Sequence, residues 1–162
     1  MQKRFHLHQL VENAANRLVP SEVNGHVKIP FQGVGKTLPS GRKYAPPIRS
    51  CLQYPADGNK VAPSLLEALQ RAGLRSGMTI SSHHHFRDGD LLMAQVFAAA
   101  EQLGVRDLVW QPTATFPCHA PFTKYLESGL LHHIEGSLNG PLGRFASQGK
   151  MTGLSVLRSH GG

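Results

Sequence analysis

One stretch of the chain sets several chemically capable side chains in a row: Met78-Thr79-Ile80-Ser81-Ser82-His83-His84-His85-Phe86-Arg87-Asp88-Gly89-Asp90. Consecutive histidines allow metal ligation or proton transfer. Neighbours in extended chain point to opposite faces, so at most His83 and His85 share a side. No carboxylate or cysteine is fixed at a ligand spacing, and no metal is expected. Two readings stay open. One imidazole acts as acid, base or hydrogen-bond donor to a carboxylate or thioester oxygen, or the histidines pack in a crowded loop and donate to backbone.

Asp88-Gly89-Asp90 fits a helix cap, with a carboxylate on the first free amides. It also fits a loop whose amides face an anion or a developing oxyanion. Arg87 would add a fixed positive charge for a carboxylate. Asn139-Gly140-Pro141-Leu142-Gly143 is a second strand-to-helix junction, and Ser159-His160-Gly161-Gly162 is a third loop after a strand. Parallel strands deliver their C-terminal ends to one edge, so these three loops are expected to converge.

The elements that must hold them follow from the pattern. Residues 1–20 carry Leu7, Leu10, Val11, Ala14, Ala15 and Leu18 at helical spacing, and Pro20 stops that helix. Residues 21–60 alternate Pro and Gly, as extended chain wrapped on a body or a linker does. From residue 61 the order becomes regular. Ser64-Leu65-Leu66-Glu67 is a capping box that starts a helix with Leu65, Leu66, Leu69 and Ala72 on its buried side, ended by Gly73. A short buried strand over Met78–Ser82 leads into a helix from about Asp90 to Leu103, apolar nearly all round. Strands then fall at Asp107–Gln111, Leu130–Glu135 and Leu154–Arg158, with helices at Pro121–Ser128 and Pro141–Gln148 between them. Alternating strands and helices give an α/β fold with an open, mostly parallel sheet and flanking helices. The division expected is a basic Pro/Gly-rich arm with a short helix over 1–60 and an α/β domain over 61–162. The latter is expected to be incomplete, since a loop after a last strand should lead into another element.

Composition narrows the function. Residues 1–60 hold nine Lys and Arg against three Asp and Glu, and residues 61–162 hold eight against seven. The basic character belongs to the first third, as a solvated arm or a docking surface for an acidic partner. Aromatic residues are not interleaved with the basic ones, and no nucleic acid is expected as partner. No apolar run approaches the roughly 18 residues that a membrane helix needs, and the N-terminus lacks a signal core. Cys51 and Cys118 are far apart and read as free thiols of a cytoplasmic protein. No GxGxxG, GxxxxGK[ST] or GxSxG stands in its required context.

Five segments carry a resemblance: Gly41-Arg42-Lys43-Tyr44-Ala45-Pro46-Pro47-Ile48-Arg49-Ser50, Gly73-Leu74-Arg75-Ser76-Gly77-Met78-Thr79-Ile80-Ser81, His83 to Asp90, Asn139-Gly140-Pro141 and Leu157-Arg158-Ser159-His160-Gly161-Gly162. Together they resemble the alpha chains of citrate lyase, from about residue 24 to the end. The resemblance implies a CoA-transferase-like (NagB/RpiA-like) domain, of which only the N-terminal portion is present. It implies transfer of a carrier-bound acyl thioester from acetate to citrate: acetyl-carrier plus citrate gives citryl-carrier plus acetate. The partners implied are the citrate lyase beta chain and the gamma acyl carrier protein, in a cytoplasmic hetero-oligomer. No cofactor is bound covalently to this chain; the CoA-like phosphopantetheine group belongs to the carrier.

The wider CoA-transferase family has a loop after its first strand whose amides contact the acyl group, and His84, His85 and Phe86 resemble it by position. The candidate catalytic residues are His84, His85 and Arg87, with Arg87 pairing a citrate carboxylate. The candidate substrate contacts are Ser81, Phe86, Gly89, Asn139, Gly140, His160 and Gly161. The alternative is an inactive module that binds the carrier without turnover.

Overall fold

The computed structural model describes residues 9–33, 36, 61–83 and 87–157. Contacts divide the chain into two units, Met1–Asn59 and Lys60–Gly162.

In the first unit the helix expected over 1–20 is not formed by residues 9–20. These residues make a two-stranded antiparallel sheet, β1 (Leu10–Glu12) against β2 (Leu18–Pro20). The reason lies in the asparagines. The Asn13 side chain accepts from the amides of Ala15 (2.9 Å) and Arg17 (3.1 Å), taking donors that a helix would need. Asn16 adopts a left-handed φ of 54°. A second hairpin, β3 (Glu22–Val23) against β4 (His26–Val27), turns on Asn24-Gly25, both with positive φ. Asn-Gly is the pair that a two-residue hairpin turn favours. Part of the Pro/Gly-rich stretch is therefore sheet.

The second unit is α/β. Helix α1 (Leu65–Arg71) begins at Ser64, whose hydroxyl accepts from the Glu67 amide at 3.2 Å. Glu67 itself pairs with Arg71 one turn on. Strand β5 (Thr79–Ser82), helix α2 (Leu92–Gln102), strand β6 (Leu108–Pro112), a 3-10 turn over Pro117–Phe122, helix α3 (Thr123–Ser128), strand β7 (Leu131–Ile134) and helix α4 (Gly140–Ser147) follow. The three strands form a parallel sheet in the order β5-β6-β7. The strand expected at Leu154–Arg158 is represented by a parallel bridge from Val156 to Glu135. Its Arg158 lies outside the described residues.

The core is built on β6, where Leu108, Trp110 and Pro112 are buried. Phe97 of α2 meets the Trp110 ring edge-on at 5.5 Å and that of Phe122 at 5.2 Å. Each such buried aromatic or aliphatic side chain contributes roughly 1.5–3 kcal/mol. Three expectations need correction. Strand β5 is an edge strand, with Thr79 and Ser81 exposed, because only β6 pairs with it among the described residues. Helix α2 starts two residues late and is one-sided: Met93, Val96 and Phe97 are buried, whereas Leu91 is 70% and Leu92 48% exposed. Helix α1 buries no residue fully, and Ala72 is exposed, although Leu65 and Leu69 pack on the core. No described helix is long and apolar enough to cross a membrane.

Candidate functional site

The C-terminal ends of β5, β6 and β7 are Ser82, Pro112 and Ile134. The loops that leave them are tied together by hydrogen bonds, and the middle loop is the hub. Thr113 N–H donates to Ser82 O at 3.1 Å, and Thr115 N–H donates to Ser137 O at 2.9 Å. The Thr115 hydroxyl, fully buried, accepts from Asn139 N–H at 2.8 Å and donates to Asn139 O at 3.1 Å.

On the other side the middle loop meets the 3-10 turn Arg87–Gly89. The Asp88 carboxylate accepts from Cys118 N–H at 2.7 Å. The Asp90 carboxylate, 7% exposed, accepts from the α2 amides of Leu92 and Met93 at 3.0 and 3.3 Å. Its second oxygen lies 3.2 Å from His119 Nε2. Asp90 is thus a cap, as its position before the helix predicts, and it also anchors the middle loop. His119 Nδ1 accepts from Phe116 N–H at 2.9 Å. A nitrogen that accepts carries no proton, so Nε2 carries it and donates to Asp90.

Each candidate residue can now be placed. Ser81 lies exposed on the β5 edge, and its neighbour Ser82 makes the structural bond, accepting from Trp110 Nε1 at 2.9 Å. Arg87 is exposed and left-handed, with φ 49°. That conformation is uncommon for a side-chain-bearing residue. Its carbonyl accepts from Asp90 N–H at 3.3 Å and from the Cys118 thiol at 3.5 Å. Gly89 is exposed, and a Cβ there would meet nothing within 4 Å. Asn139 and Gly140 open α4, with Asn139 extended and Gly140 at φ 58°. His84, His85, Phe86, His160 and Gly161 lie outside the described residues.

Asn139 and Gly140 border a cleft of about 740 Å3, also lined by Leu138, Arg144, Ser155 and Leu157. Arg144 supplies its positive charge, and the start of α4 adds amide donors. Ser81, Arg87 and Gly89 are not among its described lining. The structure therefore places the candidates in two groups, the Arg87 turn and the cleft, connected through the middle loop.

That middle loop, with Thr115, Cys118 and His119, is what sequence reasoning missed. The strand-end rule applied to Asp107–Gln111 would have pointed to it. Burial pushes the Cys118 thiol up, and the negative charge of Asp88 adds to the shift. The sulfur is therefore a thiol rather than a nucleophilic thiolate near neutral pH. A second histidine cluster lies on and just beyond β7: His133 Nε2 is 3.1 Å from Glu135 Oε1, and its Nδ1 is 2.8 Å from that of His132. Among the described residues no group of three His, Cys, Asp or Glu is arranged to hold a metal ion.

A parallel three-stranded sheet with flanking helices, its loops tied together at the carboxyl edge, defines the class: an open-sheet α/β protein. The comparisons give the family. The profile of the citrate lyase alpha subunit (CitF) matches residues 58–162, and the chain belongs to that family. The segment Gly41–Ser50 lies outside the matched residues. The citrate lyase alpha chain of Escherichia coli K12 is 36% identical over 108 residues, which are 66% of this chain and 21% of that relative. That of Klebsiella pneumoniae is 38% identical over 104 residues, 64% of this chain and 20% of the relative. A crystal structure of the alpha subunit of citrate lyase from Streptococcus mutans, in complex with citrate, superposes with a TM-score of 0.63 at 31% identity, covering 76% of this chain and 24% of that one. The chain thus spans about a fifth to a quarter of the length of these relatives.

Proposed function

We propose that this chain takes part in the acyl-exchange step of citrate lyase, in which acetyl-carrier and citrate give citryl-carrier and acetate. The carrier sulfur exchanges one acyl group for the other: the thioester bond to acetyl breaks, one to citryl forms, and acetate leaves with the oxygen that the citrate carboxylate gives up. The observation that carries the reading is the linked set of three loops at the carboxyl edge of a sheet belonging to the citrate lyase alpha family.

Arg87, exposed at one end of that set, binds a citrate carboxylate. Backbone amides of the loop after β5 and of the Asn139–Gly140 turn stabilise the oxyanion that forms when the acyl carbonyl is attacked. His84 and His85 serve as hydrogen-bond donors or proton acceptors in the exchange, and Ser81, Phe86, Gly89, His160 and Gly161 are the further substrate-binding residues. The phosphopantetheine of the carrier supplies the thiol that holds the acyl group. Its alternation of amide and methylene groups suits a cleft that mixes Leu138 and Leu157 with Asn139, Arg144 and Ser155. The partners are the gamma acyl carrier protein and the beta chain, in a cytoplasmic hetero-oligomer. The free Cys118 thiol supports a reducing compartment.

The test is incubation of this 162-residue chain with acetyl-carrier and citrate, followed by mass spectrometry of the carrier. Citryl-carrier above the enzyme-free rate is the expected result. The excess of nine Lys and Arg over three Asp and Glu in residues 1–60 favours a second reading, a module that binds an acidic carrier without chemistry. It predicts carrier binding with no turnover. Absence of both would overturn the two readings together.

A further inference from the structure

We propose that His119 is the positioning residue of the Arg87 turn, an inference that rests on the reading of Arg87 as the partner of a citrate carboxylate. His119 is 2% exposed, packed edge-on to Trp110 and tilted against Phe122, each at 5.2 Å between ring centres. Its ring is therefore fixed by the core, not by the loop that it holds. From that fixed ring one nitrogen reaches out of its own loop to Asp90 and the other reaches back to Phe116. Asp90 in turn ends the turn that carries Arg87 and starts α2. Two residues earlier, Asp88 binds the amide of Cys118, next to His119.

These bonds tie the turn at Asp88 and Asp90, just after Arg87, to two adjacent residues of the middle loop, Cys118 and His119. Arg87 needs that support, because a left-handed arginine reverts to an ordinary conformation once its neighbours are free. Such a reversal changes the direction in which the side chain leaves the backbone. His119 touches no substrate in this account. It sets where the positive charge stands.

The test uses the full chain with Cys51→Ser, so that Cys118 is its one thiol. His119→Asn keeps an acceptor for Phe116 N–H but cannot reach Asp90, whereas His119→Gln keeps a donor near the Nε2 position. The Cys118 thiol donates to the Arg87 carbonyl, so its labelling by a disulfide reagent reports opening of the turn. Losing one hydrogen bond to a buried carboxylate should raise labelling about tenfold in His119→Asn and much less in His119→Gln. Citrate affinity, read by calorimetry, should fall in the same order.

Equal labelling of the two variants, whether raised or unchanged, would overturn the proposal, because packing alone would then explain the site. The 15N imidazole spectrum of the unaltered chain guards against a variant that does not fold: a proton on Nδ1 of His119 would sink the idea. If the unaltered chain binds no citrate, the reading of Arg87 fails, while labelling still decides the role of His119.

Discussion

Thr115 and Asn139 exchange two hydrogen bonds through a single hydroxyl, which accepts from the Asn139 amide at 2.8 Å and donates to the Asn139 carbonyl at 3.1 Å. This joins the loop after β6 to the start of α4, and with it one wall of the cleft. Thr115→Val preserves shape but leaves the Asn139 amide without its partner and the Asn139 carbonyl with only the Gly143 amide, at 3.4 Å. It should cost about 1–3 kcal/mol. Thr115→Ser should recover most of that loss. Urea unfolding of the three proteins checks the order.

Two glycines of the same edge should behave oppositely. A Cβ on Gly136 would lie 2.1 Å from the Pro112 carbonyl oxygen, and both atoms belong to backbone that cannot turn away. Gly136→Ala should therefore cost at least about 1–3 kcal/mol. Gly89→Ala meets open space and should stay within about 0.5 kcal/mol of the parent. Thermal unfolding separates them. Lost acyl exchange in Gly89→Ala at unchanged stability would place substrate against that residue.

Arg87→Ala removes an exposed side chain and should leave the unfolding transition where it is. On the proposed reading it weakens the apparent affinity for citrate by about tenfold or more, the scale of one charge-assisted hydrogen bond. Binding of the carrier should be spared. Measuring both affinities on one preparation decides the matter, since equal loss of both would remove Arg87 from its assigned role.

Burial raises the pKa of Cys118, so the folded chain holds that proton more tightly than the unfolded chain does. Below the ordinary thiol range both states are protonated and the difference has no effect. As pH rises through that range the unfolded chain loses its proton first, and stability falls. Cys118→Ala should flatten this alkaline loss while leaving the neutral-pH slope intact. Denaturant midpoints at neutral and alkaline pH, with Cys51 present in both proteins, read the difference.

Much of this architecture was legible because local signals agreed with the packing. The Ser64 cap, Gly73 and Gly129 at helix ends, and the apolar start of β6 each specify their element without distant contacts. Residues 9–20 misled because helical spacing of Leu10, Ala14 and Leu18 outweighed two asparagines, one whose side chain and one whose left-handed backbone make turns. Asn24-Gly25 was a hairpin signal in plain view. The motif residues drew attention to the first and third loops. His119 and Thr115 stand in no motif, and their importance arises from neighbours 29 and 24 positions away in sequence. Such pairings depend on the sheet order, which periodicity does not reveal.

The sequence contains a single tryptophan, and Trp110 sits where Ser82 ends β5 and where His119 rests its ring. The protein consequently carries its own optical probe at the junction of the first two loops. Its emission should shift when that junction loosens, so loop order can be followed in real time without any label.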